Sequence, residues 1–248
     1  MSASISNNEI KLIKSLSHKK FRDKEKLFTV EGDKMVEEAV KSGFDIVDIY
    51  RKDEIGEERM SRISLQSSPS PVLAVVRMPQ MPESIQTPDN GLCIGLDSIR
   101  DPGNLGTIIR IADWFGVREI FATQDTVDVF NPKTVQATMG AIFRVRMHYT
   151  SLEDIGRKFL DAGGKVYGTF LDGNDIYSSD LATGEDCPVM VITGNESNGI
   201  SNTVSKVVSD RLYIPPFPGS TDTSESLNAA VATAVTVAEF RRRIRNTR

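Results

Sequence analysis

Asn104, Gly106 and Arg110 stand in an Asn-x-Gly-x-x-x-Arg pattern behind the apolar run Leu92-Cys93-Ile94-Gly95-Leu96 and the turn Asp101-Pro102-Gly103-Asn104. That order reads as a strand, a tight loop and a helix N-terminus. Backbone N–H groups unpaired at such a terminus can hold an anion or a polar ligand atom, and Gly103 and Gly106 let the ligand come close. Four residues separate Gly106 from Arg110, so the two share a helical face, where a guanidinium offers five donors in a rigid fork. The same residues also suit a plain structural role, with Asn104 as a cap, Gly106 as a packing site and Arg110 in a surface ion pair. The spacing matches neither G-x-G-x-x-G nor G-x-x-x-x-G-K-[ST], which removes the main warrant for the two common nucleotide sites.

Two later strand ends carry polar chemistry. The apolar strand Pro188–Thr193 runs into Gly194-Asn195-Glu196-Ser197-Asn198-Gly199, two glycines around a carboxylate, and Arg211–Ile214 runs into a loop stiffened by Pro215, Pro216 and Pro218. Backbone amides and carbonyls of such loops can line a cofactor pocket, although Glu196 equally suits an ion-paired loop residue and the prolines a simple turn. Thr221–Asn228 is a polar entrance to the helix Ala229–Ala238, whose small residues permit close packing within a subunit or across an interface. Cys93 and Cys187 sit in apolar, strand-like segments and read as free thiols, and with His18 and His148 as the only histidines no His/Cys metal site is expected.

To position these loops the chain needs a sheet. The strands expected at 92–96, 117–123, 165–170 and 188–193, with helices between them, predict a mostly parallel sheet covered by helices, with functional loops beyond the carboxyl ends of the strands. Ahead of it, a helix at 8–17, a strand at 27–32, a helix at 33–42, a strand at 44–50, a polar helix at 51–65 and an edge or closing strand at 72–78 predict a smaller α/β domain. Pro79, Pro82 and Pro88 punctuate a polar stretch, so the expected division is a domain at 1–78, a linker at 79–90 and a domain at 91–248.

Hydrophobic content of 39% and charged content of 26% over 248 residues belong to a soluble globular protein. The longest apolar runs fall short of a membrane span, and the start has neither a basic nor an apolar leader region, so a cytoplasmic protein is expected. The net charge of -4 argues against nonspecific coating of nucleic acid but leaves room for a local basic patch. Lys11, Lys14, Lys19, Lys20, Arg22, Lys24 and Lys26 face only Glu9, Asp23 and Glu25; this cluster suits phosphates, with Phe21 stacking on a base or packing inward, and equally suits a solvated face. Arg241, Arg242, Arg243, Arg245 and Arg248 form a basic tail that could also touch RNA.

Together, Asn104–Arg110, Gly194–Gly199 and Ile214-Pro215 followed by Ser226-Leu227-Asn228-Ala229-Ala230-Val231-Ala232 resemble, in order and spacing, the three motifs of the TrmH, or SpoU, family of RNA ribose methyltransferases. The resemblance covers roughly residues 90–242, and the lysine-rich beginning with Phe28–Gly32 is similar to the family's additional RNA substrate-binding domain. It implies a SPOUT α/β domain with a deep trefoil knot, S-adenosylmethionine as cofactor, and a homodimer. By similarity, Asn104, Arg110, Glu196, Ser226 and Asn228 fall on catalytic positions. Thr169, Gly194, Asn195, Glu196, Gly199, Ile214, Ser226 and Leu227 fall on cofactor-binding positions, and Lys19, Lys20, Arg22 and Arg110 are the expected RNA contacts. Asn131–Ala141 also resembles a family segment, but Gln136 and Thr138 stand where many members have Arg and Ser, which touches phosphate contact or target choice. The implied reaction is methyl transfer to a ribose 2′-hydroxyl, with ribosomal RNA expected before transfer RNA, no metal, and Arg110 orienting the substrate oxygen. A base-methylating SPOUT enzyme and a non-catalytic RNA-binding protein are the rival readings.

Overall fold

A computed structural model describes residues 5–80, 84–217 and 225–246. Pro82, Pro218, much of the polar stretch before Asn228 and Arg248 lie outside the described residues. The chain divides into two compact units, one of residues 1–81 with 128–144, the other of 82–127 with 145–248.

The first unit begins with α1 (Asn7–Ser15), opened by a reciprocal capping box in which Ser6 Oγ accepts from the Glu9 N–H and the Glu9 carboxylate accepts from the Ser6 N–H. Next come α2 (Lys19–Glu25), β1 (Leu27–Glu31), α3 (Asp33–Ser42), β2 (Ile46–Arg51), α4 (Lys52–Ile55), α5 (Glu57–Ile63) and β3 (Val72–Arg77). The polar helix expected at 51–65 breaks into two at Gly56, whose φ of +85° no other residue type adopts readily. Pairing is antiparallel in the order β1-β3-β2. Strand β3 is thus central, not at an edge; five consecutive buried residues, Val72–Val76, fit a strand covered on both faces. Ile13, Leu16, Leu27, Met60, Ile63 and Leu73 centre the core.

The second piece of this unit, 128–144, holds α7 (Pro132–Ala137), capped by Asn131, and a 3-10 turn at Ala141–Phe143. It is bound to the first piece by aromatic contacts of Phe28 with Phe130 and Phe44 with Phe143, by Arg144 with Glu38, and by Arg22 with Asp128 at 2.5 Å. Arg22 therefore requires a correction to its expected role. It is 2% exposed, and its guanidinium donates to Asp128 through Nε and Nη2 and to the Leu16 and Ser17 carbonyls through Nη1. A side chain so enclosed holds the fold together and does not grip phosphate. Lys19 and Lys20 remain at the surface, Lys19 paired with Asp23 and Lys20 lying 4.8 Å over the Phe21 ring.

The second unit contains β4 (Gly91–Asp97), α6 (Pro102–Trp114), β5 (Glu119–Ala122), β6 (Arg146–Tyr149), α8 (Leu152–Asp161), β7 (Lys165–Asp175), β8 (Pro188–Gly194), α9 (Asn202–Ser205), β9 (Asp210–Tyr213) and α10 (Ala229–Asn246). Six strands pair in the order β6-β5-β4-β8-β7-β9, every pair parallel. All seven residues of β8 are buried, as a strand covered on both faces requires. The chain moves outward from β4 through β5 to β6, then returns to lay β8 on the other side of β4. This reversal is a topological switch point, and it places the loops after β4 and β8 side by side. Helix α10 packs on α6 and β8, and Arg241 donates to the Phe115 and Gly116 carbonyls at the end of α6. Arg242 and Arg243 bind Glu239, so these three arginines of the basic tail serve the fold.

Candidate active site

Asp97 ends β4 and aligns with Gly194, the end of β8. A Cβ at Gly194 would drive into the Gly199 carbonyl group and the Ile200 nitrogen, so the close return of the loop requires glycine there. The turn closes through reciprocal backbone bonds, Asn195 N–H to Gly199 O at 3.1 Å and Gly199 N–H to Asn195 O at 2.8 Å. Inside it, Asn195 Oδ1 accepts from the Ser197 and Asn198 N–H groups. Beyond it, the buried Asp97 carboxylate accepts the Ser201 N–H at 2.7 Å. Helix α6 starts next to this turn, and its cap is Asp101, whose Oδ1 accepts the Asn104 N–H at 2.7 Å. The Asn104 side chain is thereby left available for other partners.

Those partners come from two other segments. Asn104 Nδ2 donates to Glu196 Oε1, and Asn104 Oδ1 accepts from Asn228 Nδ2 at 2.9 Å. Asn228 Oδ1 in turn accepts from the Ala230 and Val231 N–H groups, which fastens its side chain to the start of α10. Thr193 Oγ1 and Thr233 Oγ1 lie 3.0 Å apart and tie the end of β8 to the same helix. Three residues far apart in sequence thus join into one polar chain, Glu196 to Asn104 to Asn228.

Beside this chain opens a cavity of about 760 Å³, within the ~300–1,000 Å³ range of small-molecule sites. Thr169, Gly194, Asn195, Glu196, Gly199, Ile214, Ser226 and Leu227 all line it, so every residue expected at the cofactor site meets there. Phe170, Leu171, Thr193 and Tyr213 line it too and were missed by sequence reasoning; their only signal was their place at strand ends. Phe170 and Leu171 belong to an excursion of β7, whose register against β9 shifts between Thr169 and Asn174. Arg211 lies 3.5 Å above the Phe170 ring and pairs with Asp172, which pins that excursion. Glu196 and Glu225 are the charged side chains among the described residues of the lining, which carries no Lys or Arg. Arg110 is exposed on α6, outside the cavity lining of its own chain.

Cys93 is buried in β4, and burial pushes its thiol up to about 12, so it is a neutral core residue and not a nucleophile. Among the described residues no three His, Cys, Asp or Glu side chains gather in a metal-holding group, and no helix is long and apolar enough to cross a membrane.

The SpoU rRNA Methylase family model matches residues 91–238, and the MRM3-like substrate binding domain model matches residues 7–76. The chain is similar to the 23S rRNA (guanosine(2553)-2'-O)-methyltransferase RlmP of Bacillus subtilis, with 32% identity over 96% of this chain and 98% of that one. A solved structure from Porphyromonas gingivalis, assigned to the TrmH family of RNA methyltransferases, superposes with a TM-score of 0.88 and 38% identity over 97% of this chain and 100% of that chain. The AdoMet-bound rRNA methyltransferase of Sinorhizobium meliloti gives a TM-score of 0.84 and 32% identity over 97% of each chain.

Proposed function

Because the chain belongs to the SpoU rRNA methylase family, we propose that it transfers the methyl group of S-adenosylmethionine to a ribose 2′-hydroxyl of ribosomal RNA. The observation that carries this reading is the convergence of Asn104, Glu196 and Asn228 beside a cavity whose described lining carries the Glu196 and Glu225 carboxylates and no basic side chain. That donor set fits a cofactor with a net positive charge, and the apolar walls of Ile200, Ile214 and Leu227 fit its uncharged parts. When bound, S-adenosylmethionine supplies an electrophilic methyl group whose sulfonium becomes neutral as the group leaves.

The protein's own task is alignment and management of charge on the ribose oxygen, which gives up its proton to water as the new C–O bond forms and the S–CH3 bond would break. The loops after β8 and β9 hold the cofactor, Glu196 keeps Asn104 oriented, and Asn104 and Asn228 fix the cavity mouth. These two loops are also the segments we take to form the implied knot. Lys19 and Lys20 grip phosphates of the RNA. The named substrate of the Bacillus relative favours ribosomal over transfer RNA and, with it, a cytoplasmic site of action.

The proposal includes a homodimer. Thr107, Arg110 and Trp114 share one exposed face of α6, Trp114 is 84% exposed, and Val231 on α10 is exposed as well. An exposed tryptophan beside an exposed arginine favours a second copy, which would bring a guanidinium to a site whose described lining carries none. Arg110 acts there by orienting and stabilising charge, since a guanidinium stays protonated and makes a poor base.

Purified protein with labelled S-adenosylmethionine and separate ribosomal and transfer RNA pools tests the reaction, followed by mapping of the modified nucleotide. A 2′-deoxy nucleotide at the mapped position is expected to accept no methyl group; persistent methylation there would reject ribose chemistry. Arg110→Ala and Asn228→Ala proteins, each inactive alone, should regain about a quarter of wild-type activity on equal mixing, because mixed dimers carry one intact site of two. No recovery from two dimeric variants would place Arg110 in the site of its own chain.

A further inference from the structure

Ser98, the residue after β4, has a φ of +63°, a left-handed conformation that serine adopts rarely. Strained residues of this kind mark places where the surroundings impose a shape. Here the surroundings are explicit. The Ser98 N–H donates to Thr123 Oγ1 at 2.9 Å, its hydroxyl donates to the Asp125 carboxylate, and the next residue, Ile99, donates to Thr126 Oγ1 at 3.2 Å. The outcome is the aim of one carbonyl: Ser98 O accepts Asn195 Nδ2 at 2.9 Å. Asn195 is the residue on which the Asn195–Gly199 turn closes, and that turn carries Glu196.

We propose that Asp125 is a positioning residue for the cofactor cavity: by holding the Ser98 hydroxyl it keeps Ser98 left-handed, and the Ser98 carbonyl so aimed anchors Asn195 and the turn bearing Glu196. Asp125 lies in the loop after β5, is 53% exposed at its side chain and lines no part of the cavity, so it acts through its contacts with Ser98 and with Thr123, whose Oγ1 accepts the Ser98 N–H. The Ser98 hydroxyl first, and then Thr123, hold its carboxyl below the usual aspartate range, which keeps it a charged acceptor at neutral pH. Arg100, 3.6 Å away, adds a weak second tether. The consequence for methyl-donor binding rests on the proposed function, whereas the chain of contacts from Asp125 to Asn195 does not.

A glycine at position 98 reaches the same backbone conformation without help. Asp125 should therefore matter when residue 98 is serine and cease to matter when it is glycine. The test is a cycle of four full-length proteins: wild type, Asp125→Ala, Ser98→Gly and the double variant. Each is measured by amide hydrogen exchange at Asn195 and Gly199 and by calorimetric titration with S-adenosylmethionine. In the serine background D125A is expected to speed exchange and weaken binding on the order of fivefold, the worth of an ordinary hydrogen bond. In the S98G background both effects should fall below about twofold. Asp125→Asn, which keeps an acceptor oxygen, should stay near wild type. Equal effects of D125A in both backgrounds, or none in either, would overturn the proposal. Coupled exchange without any cofactor uptake would uphold the positioning role and defeat the methyl-donor reading.

Discussion

Replacing Arg22 by methionine separates a stabilising role from an RNA-gripping one. The guanidinium is 2% exposed and the Asp128 side chain 13%, so removal of the cation leaves a largely buried carboxylate without its counter-charge, with the Phe130 N–H still bonded to Oδ1, and strips the Leu16 and Ser17 carbonyls of their donor. Breaking one partner of a buried pair costs about 3 kcal/mol at the low end, which suits a carboxylate that keeps some water. In a unit near 100 residues that corresponds to a fall of about 12 °C or more in the melting temperature of the first unit. Arg22→Met combined with Asp128→Leu should recover most of the loss, since replacing both charges removes the uncompensated one. Calorimetric melts and RNA titrations over a range of salt, all well below the lowest transition, form the assay. Lys20→Ala should melt like wild type and reduce the slope of log affinity against log salt by about 0.7 to 0.9, the share of one phosphate contact. R22M should leave that slope unchanged. An unaltered melt with a shallower salt slope in R22M would refute the structural assignment and return Arg22 to the RNA surface.

Two further outcomes follow from the geometry. Gly194→Ala should weaken S-adenosylmethionine binding at least about fivefold while the chain stays folded, because the new methyl must displace the Gly199 carbonyl, a strain of roughly 1–3 kcal/mol; unchanged affinity by calorimetry would show that the turn can shift freely. A fragment lacking residues 1–78 should keep cofactor affinity, since every lining residue lies in the second unit, yet bind a hydrophobic dye and melt early, because Phe130 and Phe143 lose Phe28 and Phe44; loss of binding by a folded fragment would end the division of labour between the units.

Local signals carried much of the fold. The helix expected at 33–42 is α3 with the same bounds, and the apolar runs at 92–96 and 188–193 are the two central strands, because continuous apolar stretches between turn signals leave little choice. The losses are equally physical. Strand β6 has four residues with a buried His148, too short and too polar to register as a strand. The central position of β3 depends on pairing with β1 and β2, which no local pattern reveals. Nothing in the composition of 128–144 says that it packs with the first unit, since that follows from Arg22, Glu38, Phe28 and Phe44, roughly 100 residues away in sequence.

The candidate site shows the same division more sharply. Asn104, Glu196 and Asn228 were found as members of three motifs, and their joining requires a fact about topology: β8 returns to the side of β4 opposite β5, so two loops nearly 100 residues apart become neighbours. The roles within the motifs were less legible. Asp101, not Asn104, caps α6, because an aspartate three residues ahead of an N–H competes better for it than a residue already inside the helix. That substitution of roles is what releases the Asn104 amide to bridge Glu196 and Asn228. Ser98 and Asp125 left no sequence signal at all, since a left-handed serine looks like any other serine until its φ is known. Asn104, Glu196 and Asn228 are recognisable by type and spacing, whereas Ser98 and Asp125 are ordinary residues in unusual places, and only the fold tells the two kinds apart.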